Sequence, residues 1–129
     1  MWYANWFMSN SILIIENDVL FQEALTDIFG FVGLKTLEAQ NGRDAIATFR
    51  THHETIGLVI MYMRLHDMDG SQILPELEAI QPDIPVIVTS GEDKHRLERL
   101  FEGHSNVSIL IKPYDINVIL KKARDTLNS

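Results

Sequence analysis

The segment Ile12-Leu-Ile-Ile-Glu-Asn-Asp18 begins the regular alternation of apolar patterns in this chain. Its four consecutive apolar residues are mostly β-branched and show no alternation with polar residues, which indicates a strand buried on both faces. The apolar residues that follow have helical spacing, at Phe21, Leu25, Ile28, Phe29 and Val32. A strand buried on both faces needs helices on either side, so the segment predicts the first strand–helix unit of a parallel sheet.

The same alternation continues to the end of the chain. Further strands are predicted at 34–39, 58–61, 85–88 and 107–111, in addition to 12–15. Helical spacing follows each of them, at Ala45, Ile46 and Phe49, at Ile73, Leu77 and Ile80, at Leu97, Leu100 and Phe101, and at Ile116, Leu120, Ala123 and Leu127. Five strand–helix units predict an α/β fold, a doubly wound (βα)5 parallel sheet with helices on both faces. Pro75 lies inside the third helical pattern, and we expect that helix to start late or to kink there.

Composition narrows the functional classes. The chain has 129 residues, 46% of them hydrophobic and 22% charged, which is typical of a single globular domain. It contains no cysteine, which excludes disulfides and thiolate metal sites and fits a reducing cytoplasm. The 18 acidic residues outnumber the 11 lysines and arginines, giving a net charge of −7, so nucleic-acid binding is disfavoured.

Residues 1–10 form an N-terminal aromatic tail that contains Trp2, Tyr3, Trp6 and Phe7. The tail has no positive side chain and too short an apolar run for a signal peptide or a membrane span. Met8 directly precedes the regular pattern, so residues 1–10 are either an upstream translated stretch or a functional arm that docks on a membrane or partner.

Polar residues follow four of the predicted strands. In an open parallel sheet the chemistry lies at the carboxyl ends of the strands. The polar residues at these ends are Glu16, Asn17, Tyr62, Thr89 and Lys112.

With these residues in place, the chain resembles a receiver domain of the response regulators of two-component, or phosphorelay, signalling. The resemblance covers 11–129 and is carried by Ile12 to Asp18, Glu38-Ala-Gln-Asn-Gly42, Met68-Asp-Gly70, Ile84 to Ser90 and Ile111-Lys-Pro113. It implies the CheY-like, flavodoxin-like strand order 2-1-3-4-5 and a cis peptide before Pro113. It also implies Mg2+-dependent transfer of a phosphoryl group from a phosphohistidine to an aspartate.

This chain departs from the family pattern at positions that the resemblance assigns to phosphoryl transfer and to the switch. The acceptor aspartate is expected eight residues before Gly70, where this chain has Tyr62. One acid of the pair after the first strand is Asn17, and the aromatic switch position is Ile109. Thr89 and Lys112 match the family. A phenol with a pKa near 10 is neutral at pH 7 and forms a stable ester, not an acyl phosphate.

The resemblance therefore predicts a degenerate phosphorylation pocket. Mg2+ prefers carboxylate oxygens, and Glu16 is the only weak candidate ligand, so we expect weak or no Mg2+ binding and no other cofactor. Lys112 would otherwise be an uncompensated cation, and we expect it to pair with Glu16 or to donate to the Tyr62 oxygen. This is a filled, locked pocket.

Other polar residues have less specific explanations. Asp67 and Asp69 offer a displaced acceptor carboxylate, although Asp69 matches a helix cap. His52 and His53 are spaced poorly for a metal and well for a helix end. His66 has no carboxylate partner in a recognisable triad. Flavodoxin-like FMN binding is disfavoured because acidic residues follow the first strand.

The leading interpretation is an atypical pseudo-receiver, a binding module and not an enzyme. Its partner would be a histidine kinase, an output domain or another receiver, with a possible homodimer through the fourth helix, fifth strand and fifth helix. That face has the charged residues Glu92, Lys94, Arg96, Glu98, Arg99, Lys121, Lys122 and Arg124. The alternative is a phosphorylatable receiver with an altered or displaced acceptor carboxylate. Either form is expected in the cytoplasm.

Overall fold

Five strands alternate with five helices in the computed structural model, which describes residues 10–128. The strands are β1 (Ser11–Ile15), β2 (Lys35–Ala39), β3 (Ile56–Tyr62), β4 (Val86–Ser90) and β5 (Val107–Ile111). The helices are α1 (Val19–Phe31), α2 (Gly42–His52), α3 (Gly70–Ile80), α4 (Lys94–Leu100) and α5 (Ile116–Leu127). Residues 1–9, which are all but the last residue of the predicted aromatic tail, lie outside the described residues.

All strand pairs are parallel, and the sheet order is β2-β1-β3-β4-β5. The predicted (βα)5 class and its strand order are confirmed. Because the strands are parallel, the turns that follow β1, β3, β4 and β5 meet at one edge of the sheet. The register there places Tyr62 beside Thr89.

Two apolar layers enclose the sheet. Alternate strand residues face opposite sides, so Leu13 and Ile15 belong to one core while Ile12 and Ile14 belong to the other. The first core includes Phe49 from α2 and residues of α3 and α4, and the second is formed against α1 and α5. β1 is therefore buried on both faces, as its uninterrupted apolar run predicts.

Each helix is preceded by an Asp or Asn at the N-cap, whose side chain accepts a hydrogen bond from a main-chain N–H of the first turn. These caps are Asp18, Asn41, Asp69, Asp93 and Asp115. No helix in residues 10–128 is both long and apolar enough to span a bilayer.

Pro75 lies within α3, so of the two alternatives predicted for this proline the late helix start is wrong, while the kink stays a prediction. The helix begins at Gly70 because Asp69 and Gln72 form a reciprocal capping box that stabilises the first turn. Pro75 is exposed, so the ring points away from the core. β3 also starts two residues earlier, and β4 ends two residues later, than the apolar runs predict.

Candidate functional site

A buried ion pair joins the first and last strands of the predicted pocket. Lys112 Nζ lies 2.8 Å from Glu16 Oε1, as expected, and the second carboxylate oxygen accepts the main-chain N–H of Asp18 at 3.1 Å. The Glu16 side chain is 3% exposed and that of Lys112 is 25% exposed. Both carboxylate oxygens therefore have donors within the protein.

Two aromatic rings complete the surroundings of the Lys112 ammonium. Its Nζ lies 4.1 Å from the centroid of the Tyr62 ring and 4.3 Å from that of Phe21. Lys112 thus meets the face of the Tyr62 ring, while its hydrogen bond goes to Glu16. The Lys112–Pro113 peptide is cis, as the resemblance implies.

Tyr114 extends this aromatic group towards α5. Its ring meets Phe21 edge to face, with centroids 6.1 Å apart. The hydroxyl is buried and has no hydrogen-bond partner within the described residues. Burial, with a smaller contribution from the Glu16 charge, raises the pKa of Tyr114 well above its ordinary value. Tyr114 therefore stays a neutral phenol.

Asn17 contacts the turn after β3. Its Nδ2 lies 3.2 Å from His66 Nε2, across the gap between the turn after β1 and the turn after β3. An amide NH2 only donates, so the ring nitrogen of His66 is the acceptor in this arrangement.

The oxygens near β1 do not fit Mg2+. That ion needs free carboxylate oxygens in near-octahedral geometry, whereas both oxygens of Glu16 are engaged and Lys112 places a positive charge beside them. The neighbouring groups are the Asn17 amide and the Tyr62 phenol. Within residues 10–128 no three His, Asp or Glu side chains are grouped as metal ligands would be.

Asp67 and Asp69 are both engaged by helix starts. Asp67 accepts the N–H groups of Gly42 and Arg43 at 2.8 and 2.9 Å, and the Gly42 bond is the main cause that lowers the pKa of Asp67. Asp69 caps α3 and accepts the N–H of Ser71 at 3.0 Å, which confirms its predicted capping role.

Thr89 lies in β4, and Ile109 lies in the neighbouring edge strand β5. Thr89 is 2% exposed and lies beside Tyr62 in the sheet. Ile109 is half-buried against the core formed with α2, α3 and α4, and it lines a groove with Phe101 of α4. Tyr62 packs against the same core.

Arg64 forms the second charged cluster at this edge, and sequence reasoning missed it. Its guanidinium donates to both carboxylate oxygens of Glu92, with Nε–Oε2 at 2.7 Å and Nη2–Oε1 at 2.8 Å. Arg96 also donates to Glu92. The Arg64 hydrogen bond is the main cause that lowers the pKa of Glu92. A usable signal existed, since Arg64 and Glu92 each lie two residues beyond the end of neighbouring strands.

Glu92 and Lys121, two of the charged residues predicted for the face around α4 and α5, are held in ion pairs within the chain. Glu92 points to Arg64 and is 22% exposed. Lys121 pairs with Asp125 at 2.8 Å on the exposed surface of α5, so its charge is locally balanced. Lys94, Arg96, Glu98, Arg99 and Arg124 are exposed, and Lys122 is half-buried. His52 and His53 lie at the end of α2, as predicted.

The strand order and the position of the polar residues define the chain as a doubly wound five-stranded parallel α/β domain, with its polar site at the carboxyl ends of the strands. A family model described as the response regulator receiver domain matches residues 12–124. The chain belongs to that family, and the resemblance on which the sequence interpretation relied is confirmed.

Relatives and solved structures agree with this assignment. The chain is 26% identical over 125 residues to the autoinducer 1 sensor kinase/phosphatase LuxN of Vibrio campbellii, covering 93% of the chain and 14% of that protein. It is 26% identical over 124 residues to the chemotaxis protein CheY of Bacillus subtilis, covering 94% of the chain and all of CheY. The receiver domain of the hybrid histidine kinase CckA superposes with a TM-score of 0.76 at 24% identity, covering 91% of this chain and 98% of that one.

Proposed function

We propose that this chain is a pseudo-receiver, a receiver domain of two-component signalling that binds a protein partner without being phosphorylated. The proposal is supported at the end of β3, where the ring of Tyr62, which we assign to the acceptor position from the family pattern, lies against the Lys112 ammonium. The lysine is in turn neutralised by Glu16. A phosphoryl group would find neither a carboxylate nucleophile nor a free cation there.

The chemistry of Tyr62 supports this proposal. A phosphoryl group on a carboxylate is a labile mixed anhydride, whereas one on a phenol is a stable ester. Tyr62 therefore does not replace aspartate as a reversible acceptor. The surroundings of Glu16 and Asn17 also support weak or no Mg2+ binding, and we propose no other cofactor.

The alternative of a displaced acceptor carboxylate has less support. Asp67 is the first acidic residue after Tyr62 in the sequence. Both of its carboxylate oxygens accept main-chain N–H groups at the start of α2. Asp69 is held in the capping box of α3. Attack on phosphorus by either residue would require it to leave these hydrogen bonds.

The proposed activity is binding and not catalysis. The partner would be a histidine kinase, an output domain or another receiver, and a homodimer through α4, β5 and α5 is one form of the last case. Nucleic acid and membrane are disfavoured as partners by the net charge of −7. We propose a cytoplasmic location for this activity.

Intact-mass measurement tests the proposal directly. The protein is incubated with Mg2+ and a small acyl-phosphate donor, and each sample is divided for treatment with mild hydroxylamine, which cleaves acyl phosphates and spares phenol esters. We expect no phosphoryl addition. A hydroxylamine-labile addition would refute the proposal and locate the chemistry at a carboxylate, with Asp67 and Asp69 as the first residues to replace by Asn.

The matched control is the variant that restores the acidic residues. Tyr62→Asp combined with Asn17→Asp supplies both carboxylates that the family pattern requires. Mg2+-dependent, hydroxylamine-labile phosphorylation of this variant alone would show that the rest of the site is intact and that the assay works. Phosphorylation of the unaltered chain to the same extent would favour the alternative.

A further inference from the structure

The bidentate pair between Arg64 and Glu92 crosses between two turns. Arg64 lies in the turn from β3 to α3, and Glu92 lies in the turn from β4 to α4. The two residues are 28 positions apart in sequence. The pair therefore fixes the turn that carries the acceptor position to the turn that leads into α4.

Neighbouring groups complete the hydrogen bonds of the Glu92 carboxylate. Arg96, one turn into α4, donates to Oε1, and the Ser90 hydroxyl lies 3.2 Å from Oε2. The main-chain N–H of Glu92 donates back to the Ser90 oxygen at 3.0 Å. Ser90 is 1% exposed, so Glu92 is anchored to a buried strand end as well as to two guanidinium groups. Bidentate charge-assisted pairs of this kind are geometrically specific.

Helix α4 has few other anchors. It has seven residues, which is too short to be stable in isolation, and Leu97 is its only buried residue. Phe101, at its C-terminal cap, is also buried. The N-cap Asp93 directly follows Glu92. The position of the N-terminal end of α4 therefore depends strongly on where Glu92 is held.

We propose that the Arg64–Glu92 pair is an internal clamp that holds the N-terminal end of α4 in one position. The clamp keeps the surface formed by α4 and β5 in a single arrangement without any covalent change at the acceptor position. The role of the clamp in partner binding rests on the proposed function. A module that binds without phosphorylation needs a binding surface that already has its final arrangement.

Hydrogen exchange measured by mass spectrometry on the full chain tests the clamp. The variants are Arg64→Gln, Glu92→Gln and their double combination, and the matched control is Lys121→Gln, which removes the exposed pair with Asp125. We expect amides in 91–100 to exchange about two- to fivefold faster in both single variants, since a solvent-exposed ion pair stabilises local structure only modestly even when its geometry is bidentate. The double variant should exchange little faster than Glu92→Gln alone, because Glu92→Gln already removes the pair with Arg64.

Two results would overturn the clamp. The first is unchanged exchange of 91–100 in both single variants. The second is an equal acceleration in α1 and α2, which would mean that the pair contributes to global stability and not to the position of α4. In the control, exchange of 91–100 should equal that of the unaltered chain. The clamp and the proposed function fail separately, since phosphoryl addition is measured by intact mass and the clamp by exchange of the unmodified protein.

Discussion

Removal of one member of the Glu16–Lys112 pair should have a strongly asymmetric effect on stability. Lys112→Met deletes the ammonium and leaves Glu16, 3% exposed, with the Asp18 N–H as its remaining donor. Glu16→Gln leaves Lys112, which is 25% exposed and keeps the faces of two aromatic rings. A charge that reaches water or a π face is tolerated far better than one that reaches neither.

The magnitudes follow from the burial of the remaining charge. Loss of one partner of a buried pair costs about 3 to 5 kcal/mol, and the partial exposure of Lys112 places Lys112→Met near the lower end, at about 3 kcal/mol. Glu16→Gln should cost about 1 kcal/mol, because the residual ammonium is partly hydrated. The double variant leaves no unpaired charge and should cost about 1 kcal/mol, less than Lys112→Met alone.

Urea denaturation followed by far-UV circular dichroism measures these differences, and it avoids tryptophan fluorescence because both tryptophans lie in residues 1–10. With a slope of about 2 kcal/mol per molar urea, Lys112→Met should lower the midpoint by about 1.5 M and Glu16→Gln by about 0.5 M. Equal shifts in the two single variants, or a double variant less stable than Lys112→Met, would refute the assignment of Glu16 as the buried charge that needs its partner.

Three further predictions concern a carboxylate at a helix start, the apolar core and a buried amide. Asp67→Asn should lose part of the pH dependence of unfolding. The lowered pKa of Asp67 stabilises the folded state above about pH 4, and this contribution disappears as pH falls through the folded pKa, so the stability curves of the two proteins should converge in acid. Phe49→Ala should lower the free energy of unfolding in urea by about 3 to 5 kcal/mol, because Phe49 is fully buried. Phe31 is 93% exposed, so Phe31→Ala should change that free energy by about 0.5 kcal/mol or less. Gln22→Leu should cost about 1 to 3 kcal/mol by thermal denaturation, since the buried Gln22 amide donates to main-chain carbonyls of β1 and β2.

The spacing of apolar residues predicted the strands and helices of this fold, because an element buried on one face or on two has a characteristic period of apolar residues in the sequence. The apolar run Ile12 to Ile15 indicated a strand covered on both sides, and Phe21, Leu25 and Phe29 indicated the helix that covers one of them. The strand order was not available from periodicity and came from the family resemblance. The start of α3 was predicted wrongly, because the penalty for Pro75 was weighed without the capping box that stabilises the preceding turn.

The candidate site was predicted only as far as strand ends could be located. Glu16, Tyr62, Thr89 and Lys112 each lie within one residue of the carboxyl end of a strand, so a parallel sheet brings them to one edge. The partners of Asn17 and Arg64 were not predicted. His66 and Glu92 lie on other turns, and no local spacing relates residues 49 or 28 positions apart.

The class of fold and the edge of the sheet at which the polar residues gather could be predicted from the sequence, which also has a tyrosine at residue 62. These properties depend on residue identity and on order along the chain. The pairing of the polar groups emerges only in the folded chain: Lys112 with Glu16 between two rings, Asn17 with His66, and Arg64 with Glu92. Hydrogen bonds and ion pairs act over about 3 Å, and such contacts between distant turns exist only once the core has packed and set the positions of the turns.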